Sequence, residues 1–102
     1  MIVLGKYKEI YKNNQYPSIK SDINIPSEHK EIVLEYMRNA KVSSYSPTIA
    51  LDVIDGSRIK ESLCFFTDGV YAWRSDLIYY IEKYNLKIPT DFISHILERK
   101  AL

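Results

Sequence analysis

Thr67-Asp68-Gly69-Val70-Tyr71-Ala72-Trp73-Arg74-Ser75-Asp76-Leu77 packs a turn, an aromatic strand and a helix start into consecutive residues. Asp-Gly between apolar runs predicts a type I′ hairpin turn, because that turn needs positive φ at both central residues. Val70-Tyr71-Ala72-Trp73 then reads as a strand, and Ser75 as an N-cap with Asp76 in the first helical turn. Leu77, Ile78, Ile81 and Tyr84 form the apolar stripe of that helix, and Asn85 marks its end. On the other side of the turn, Ile59 to Thr67 is a second extended run, rich in Leu63, Phe65 and Phe66. Asp55-Gly56 precedes it, and before that Ile49, Leu51 and Val53 alternate with Thr48, Ala50 and Asp52. Two Asp-Gly turns therefore predict a three-stranded antiparallel meander over 48–54, 59–67 and 70–74.

Helical spacing governs the flanks. Ile32, Val33, Tyr36, Met37 and Ala40 make one stripe, which predicts a helix over 27–40 with Ser27 as N-cap and Glu28 and Glu31 near its start. Phe92, Ile93, Ile96 and Leu97 make another, over 90–100, with Thr90 as N-cap. Tyr7, Ile10 and Tyr11 suggest a short helix, and residues 15–26 read as a loop draped over the surface. The expected class is α+β: one domain over 1–102, in the order α-β-β-β-α-α, its sheet covered by three or four helices.

The chain has 102 residues, 46% apolar and 26% charged, which suits one globular core. Charge and glycine count narrow the functional classes. A net charge of +1 argues against a dedicated nucleic-acid binder. Residues 48–82 carry three basic groups (Arg58, Lys60, Arg74) against six acidic ones (Asp52, Asp55, Glu61, Asp68, Asp76, Glu82). That excess of negative charge would attract a basic protein. No signal-peptide pattern and no bilayer-length apolar run is present, so a cytoplasmic protein without a membrane partner is expected. Cys64 is the only cysteine and lies in an apolar run, as a small core residue would.

Little in the sequence points to catalysis. His29 and His95 with one cysteine fall short of a zinc set, and no metal or cofactor is expected. Three glycines cannot build a phosphate cradle, and no serine sits in a nucleophile elbow. Asp52 and Asp55 are a close carboxylate pair, though aspartates in that setting usually form turns. Tyrosine is abundant, with nine in all. Tyr71 and Trp73 share one strand face, where they either pack under the helix or form a partner patch with the nearby acids. The expected partner-binding residues are accordingly Asp52, Asp55, Glu61, Asp68, Tyr71, Trp73 and Asp76, with no catalytic residue.

The motifs Asp52-Val53-Ile54-Asp55-Gly56, Thr67 to Trp73, Asp76 to Tyr84 and Pro89-Thr90-Asp91-Phe92-Ile93 resemble those of small bacterial proteins of polymorphic toxin systems. These include contact-dependent growth inhibition and Rhs-type systems, and several of the proteins are immunity proteins. The resemblance covers about residues 32–97 and is sharpest over 67–84; where relatives often carry proline after the tryptophan, this chain has Arg74. It implies a cytoplasmic antidote that binds the C-terminal domain of a cognate toxin, often a nuclease, by direct occlusion. A regulatory or structural interaction module unrelated to toxins is the alternative. RNA binding through the aromatic sheet is disfavoured by the carboxylates on the strands.

Overall fold

The computed structural model describes residues 1–100. Four strands and four helices run in the order β1 (Ile2–Val3), α1 (Lys8–Tyr11), α2 (Lys30–Arg38), β2 (Lys41–Tyr45), β3 (Cys64–Thr67), β4 (Tyr71–Arg74), α3 (Ser75–Tyr84) and α4 (Thr90–Lys100). The sheet order is β1-β4-β3-β2, with β1 parallel to β4 and the other pairings antiparallel. The α+β class agrees with the sequence. The sheet, however, is four-stranded and mixed rather than a three-stranded meander, and the element order differs accordingly.

The difference lies at both edges of the sheet. Residues 48–54, predicted as the first strand, hold only one isolated bridge, Leu51 to Arg58. The regular partner of β3 is Lys41–Tyr45 instead, a polar segment that follows α2 after two residues. Residues 46–63 still pair across the hairpin, but irregularly, through Ser46 N–H to Leu63 O (2.9 Å) and Ile59 N–H to Ala50 O (3.0 Å). Residues 41–67 thus form one long arm whose tip is closed by Asp52 N–H to Ser57 O (2.7 Å). Gly56 supplies the left-handed residue there, at φ +79°. At the β3–β4 turn Gly69 alone has positive φ (+94°), and Asp68 N–H bonds Tyr71 O at 3.1 Å. Type I′ needs positive φ at both central residues, so the predicted turn type is not formed; Asp68 Oδ1 instead accepts the Tyr71 N–H at 2.7 Å.

Core packing explains why the sheet needs three helices. Trp73 stands between Tyr36 of α2, Phe66 of β3 and Phe92 of α4, with ring centroids 6.4, 6.3 and 5.5 Å away. Tyr71 lies beside Phe92 and His95 at 4.9 and 4.8 Å. Val33, Leu34 and Met37 of α2, Ile78, Tyr80 and Ile81 of α3, and Ile96 of α4 complete the buried cluster.

Two predicted caps serve other purposes. α2 begins after His29, itself left-handed at φ +64°, while Ser27 Oγ accepts a bond from Ile88 N–H at 3.3 Å. Arg74 holds the N-cap position of α3, and Ser75 Oγ accepts from Cys64 N–H at 3.0 Å. Both hydroxyls tie separate elements together instead of closing their own helix. Asn85 does end α3 in the left-handed conformation, at φ +50°. The segment read as a surface loop is anchored as well. Ile19 is completely buried, and Asn24 and Ile25 N–H groups bond the carbonyls of Tyr84 and Asn85 at 2.8 and 2.9 Å.

Candidate functional site

The hairpin arm and α3 enclose a cleft of about 390 Å³. Ala50, Ile59, Leu63 and Cys64 form one wall, and Ile78 and Tyr79 of α3 the other. Arg38, Glu61 and Glu82 stand at its mouth, and the buried Asp76 also contributes to the lining. Arg38 and Glu82 form an ion pair with both side chains largely exposed. On the same arm, Tyr45 is 78%, Leu51 57% and Ile49 42% exposed. Ile49 and Leu51 thus point outward while Ala50, between them, lines the cleft.

Two buried carboxylates hold this region in shape. Asp52 sits at the arm's tip with 1% exposure. Its Oδ1 accepts Ile54 N–H (2.7 Å) and Asp55 N–H (3.1 Å); its Oδ2 accepts the hydroxyls of Tyr79 and Tyr84, each at 2.7 Å. Burial alone would raise its pKa, but these four donors outweigh it and hold the group ionised below the usual carboxylate range. Lys83 Nζ lies 3.7 Å from Asp52 and 3.0 Å from Asp55 Oδ2, so one cation spans both. The tip of the arm is thereby fastened to α3.

Asp68 performs the same role at the β3–β4 turn. Its Oδ1 accepts Val70 and Tyr71 N–H at 2.9 and 2.7 Å, while Oδ2 meets Tyr36 Oη (2.5 Å), His95 Nε2 (2.8 Å) and Arg99 Nη1 (3.2 Å). The turn is thus joined to α2 and α4. Burial again acts to raise the pKa, and the bonds from Tyr36, the Tyr71 and Val70 amides and His95 bring it down to about 2. A group whose folded pKa lies below its unfolded value of 3.8 stabilises the fold above that value and loses the contribution as pH falls towards 2. Urea unfolding is therefore expected to show stability declining between about pH 4 and pH 2, with roughly 2 kcal/mol traceable to Asp68. Asp68→Asn should flatten that part of the profile; an unchanged slope would show that Asp68 contributes nothing there.

Four of the seven expected contact residues lie inside the fold. Trp73 and Asp52 are each 1% exposed, Asp76 4% and Tyr71 8%. In this conformation they offer almost no area to a partner. Asp76 is held by Arg74 through two bonds, at 3.2 and 2.9 Å, and burial raises its pKa against that guanidinium. The side chain of Asp68 is 6% exposed. Only Asp55, occupied by Lys83, and Glu61, at the cleft mouth, face solvent.

The acidic excess of residues 48–82 is likewise drawn into internal pairs. Asp52 and Asp55 share Lys83, Asp68 meets His95 and Arg99, Asp76 meets Arg74, and Glu82 meets Arg38. Of the six acids, Glu61 alone has no ion pair among the described residues. The sequence carries no surface signal for Tyr45, Ile49 and Leu51: Ile49 and Leu51 alternate as strand residues, and nothing local distinguishes an inward face from an outward one.

Among the described residues no cluster of three or more His, Cys, Asp or Glu side chains is arranged to hold a metal ion, and no helix is long and apolar enough to cross a membrane. Comparison with known families, with curated proteins and with solved structures finds no match to this chain. The likeness to immunity proteins therefore rests on the motif residues alone.

Proposed function

We propose that this chain is a protein-binding antidote, which neutralises a cognate bacterial toxin domain in the cytoplasm by occluding it directly. The observation that supports a protein-binding role is the exposure of Tyr45, Ile49 and Leu51, three large apolar side chains 42–78% exposed on a single hairpin arm. Exposed apolar residues gathered beside a cleft mark interaction surfaces more often than chance placement does. Tyrosine is also among the residue types that dominate binding energy. The two buried carboxylates make the platform rigid, so little ordering entropy is lost on association. The toxin assignment comes from the motif resemblance.

The test is co-expression with the toxin domain encoded beside this chain. A one-to-one complex and protection of the cells are expected. Tyr45→Ala combined with Leu51→Ala should weaken the complex at least tenfold while leaving the circular dichroism spectrum intact. If neither complex nor protection is seen, the antidote reading fails. A complex without protection would show binding without neutralisation and would likewise overturn the antidote reading.

A further inference from the structure

The cleft between the hairpin arm and α3 has walls of one chemistry and a mouth of another. Ile59, Ile78 and Leu63 are 3%, 8% and 9% exposed, so its inner surface is apolar and preformed. Its volume of about 390 Å³ is at the small end for binding cavities, enough for one or two inserted side chains. The charged groups lining it are three carboxylates (Glu61, Asp76, Glu82) against one guanidinium, Arg38. Asp76 has its counter-charge on the far side, in Arg74, which also reaches Ile10 O at 3.4 Å. Glu82 shares Arg38 in an exposed and therefore exchangeable pair. Glu61 has no ion-pair partner among the described residues.

We propose that this cleft receives an anchor from the partner protein: an apolar side chain buried between the arm and α3, with a Lys or Arg next to it in sequence that pairs with Glu61 and Glu82. The proposal rests on the protein-binding reading above and adds the chemistry of what is bound. Insertion removes apolar surface from water on both sides, which is the main source of affinity. The mouth then selects by sign. A cation meets a free carboxylate and a shared one, whereas an anion meets three carboxylates with one guanidinium already engaged.

Two capped dipeptides test this on the isolated protein by methyl and amide NMR titration: acetyl-phenylalanyl-arginine amide and acetyl-phenylalanyl-glutamate amide. The arginine peptide is expected to move the methyl resonances of Ile59, Leu63 and Ile78 saturably, with an affinity roughly tenfold above that of the glutamate peptide. Raising the salt should narrow the difference, because exposed charges are screened. Glu61→Gln, a surface change, should reduce the preference to about threefold or less. Ala50→Trp, which fills the cleft, should abolish binding of both peptides while amide dispersion shows a folded protein.

Equal affinities, shifts that map away from the cleft, or no shifts with either peptide would each overturn the proposal. The two readings fail separately. A toxin-domain complex that forms while both peptides fail removes the anchor and leaves protein binding in place. Peptide selectivity without such a complex removes the antidote and leaves the site.

Discussion

Trp73→Ala is expected to cost about 3–5 kcal/mol, the largest loss of any single substitution considered. The indole is 1% exposed and meets an aromatic ring from each of α2, β3 and α4, so its removal opens a cavity where the sheet joins its helices. A domain of this size has about 5–15 kcal/mol in total, so the variant should lie near the edge of folding. Trp73→Phe should be far milder, about 1 kcal/mol. The indole Nε1 is buried with no hydrogen-bond partner among the described residues. Phenylalanine loses packing area but also removes that unsatisfied donor, and the two effects oppose each other. Urea midpoints at constant m would measure both variants. A loss below about 1 kcal/mol for the alanine variant would mean that the ring is not the centre of the core. Complex formation by Trp73→Phe at wild-type strength would place the tryptophan in the scaffold and not in the binding surface.

Asp52→Ala should come next, at about 2–4 kcal/mol. The cause is electrostatic, not volumetric. Its carboxylate satisfies two backbone N–H groups and two tyrosine hydroxyls at once. Alanine leaves these four donors without their acceptor, while Lys83 keeps Asp55 at 3.0 Å. Tyr79 and Tyr84 are half-buried, so water can meet part of the need, which keeps the figure below that of a fully dry site. Asp52→Asn should fall between wild type and alanine, because one amide oxygen can replace one carboxylate oxygen while the NH₂ group opposes donors. Faster hydrogen exchange over residues 50–58, with α4 unaffected, would show the arm loosening from α3 locally. Uniform acceleration across the chain would instead show that Asp52 supports the whole fold and not the arm in particular.

Where the sequence was legible, the signal was local. Asp68-Gly69, the α3 helix and the stop at Asn85 each carry their instruction within a few residues and stand where expected, although Tyr80, outside the predicted stripe, is the most buried side chain of α3 at 1% exposure. The edge strands carry none. Lys41-Val42-Ser43-Ser44-Tyr45 is polar on both faces, because an edge strand outside the helix layer has no apolar side to bury. Ile2-Val3 spans two residues and pairs in parallel with a strand some seventy positions away, which no nearby residue announces. Conversely, Ile49, Leu51 and Val53 alternate as a strand should, yet their pairing is irregular. Pro47 precedes them, and Asp52 turns inward to the tyrosines of α3.

The candidate site divides in the same way. Glu61 and Asp76 were singled out from composition and do line the cleft. The α+β class, the β3–β4 hairpin and the helices that cover it follow from local residues, because turn chemistry and apolar periodicity act over short distances. Which polar groups are surface and which are fastenings depends on long-range packing. Asp52, Asp68 and Asp76 read alike along the chain. Burial beside donors from α2, α3 and α4, and from Arg74 for Asp76, makes them internal ties, since a charge taken from water must find its partners wherever the fold brings them.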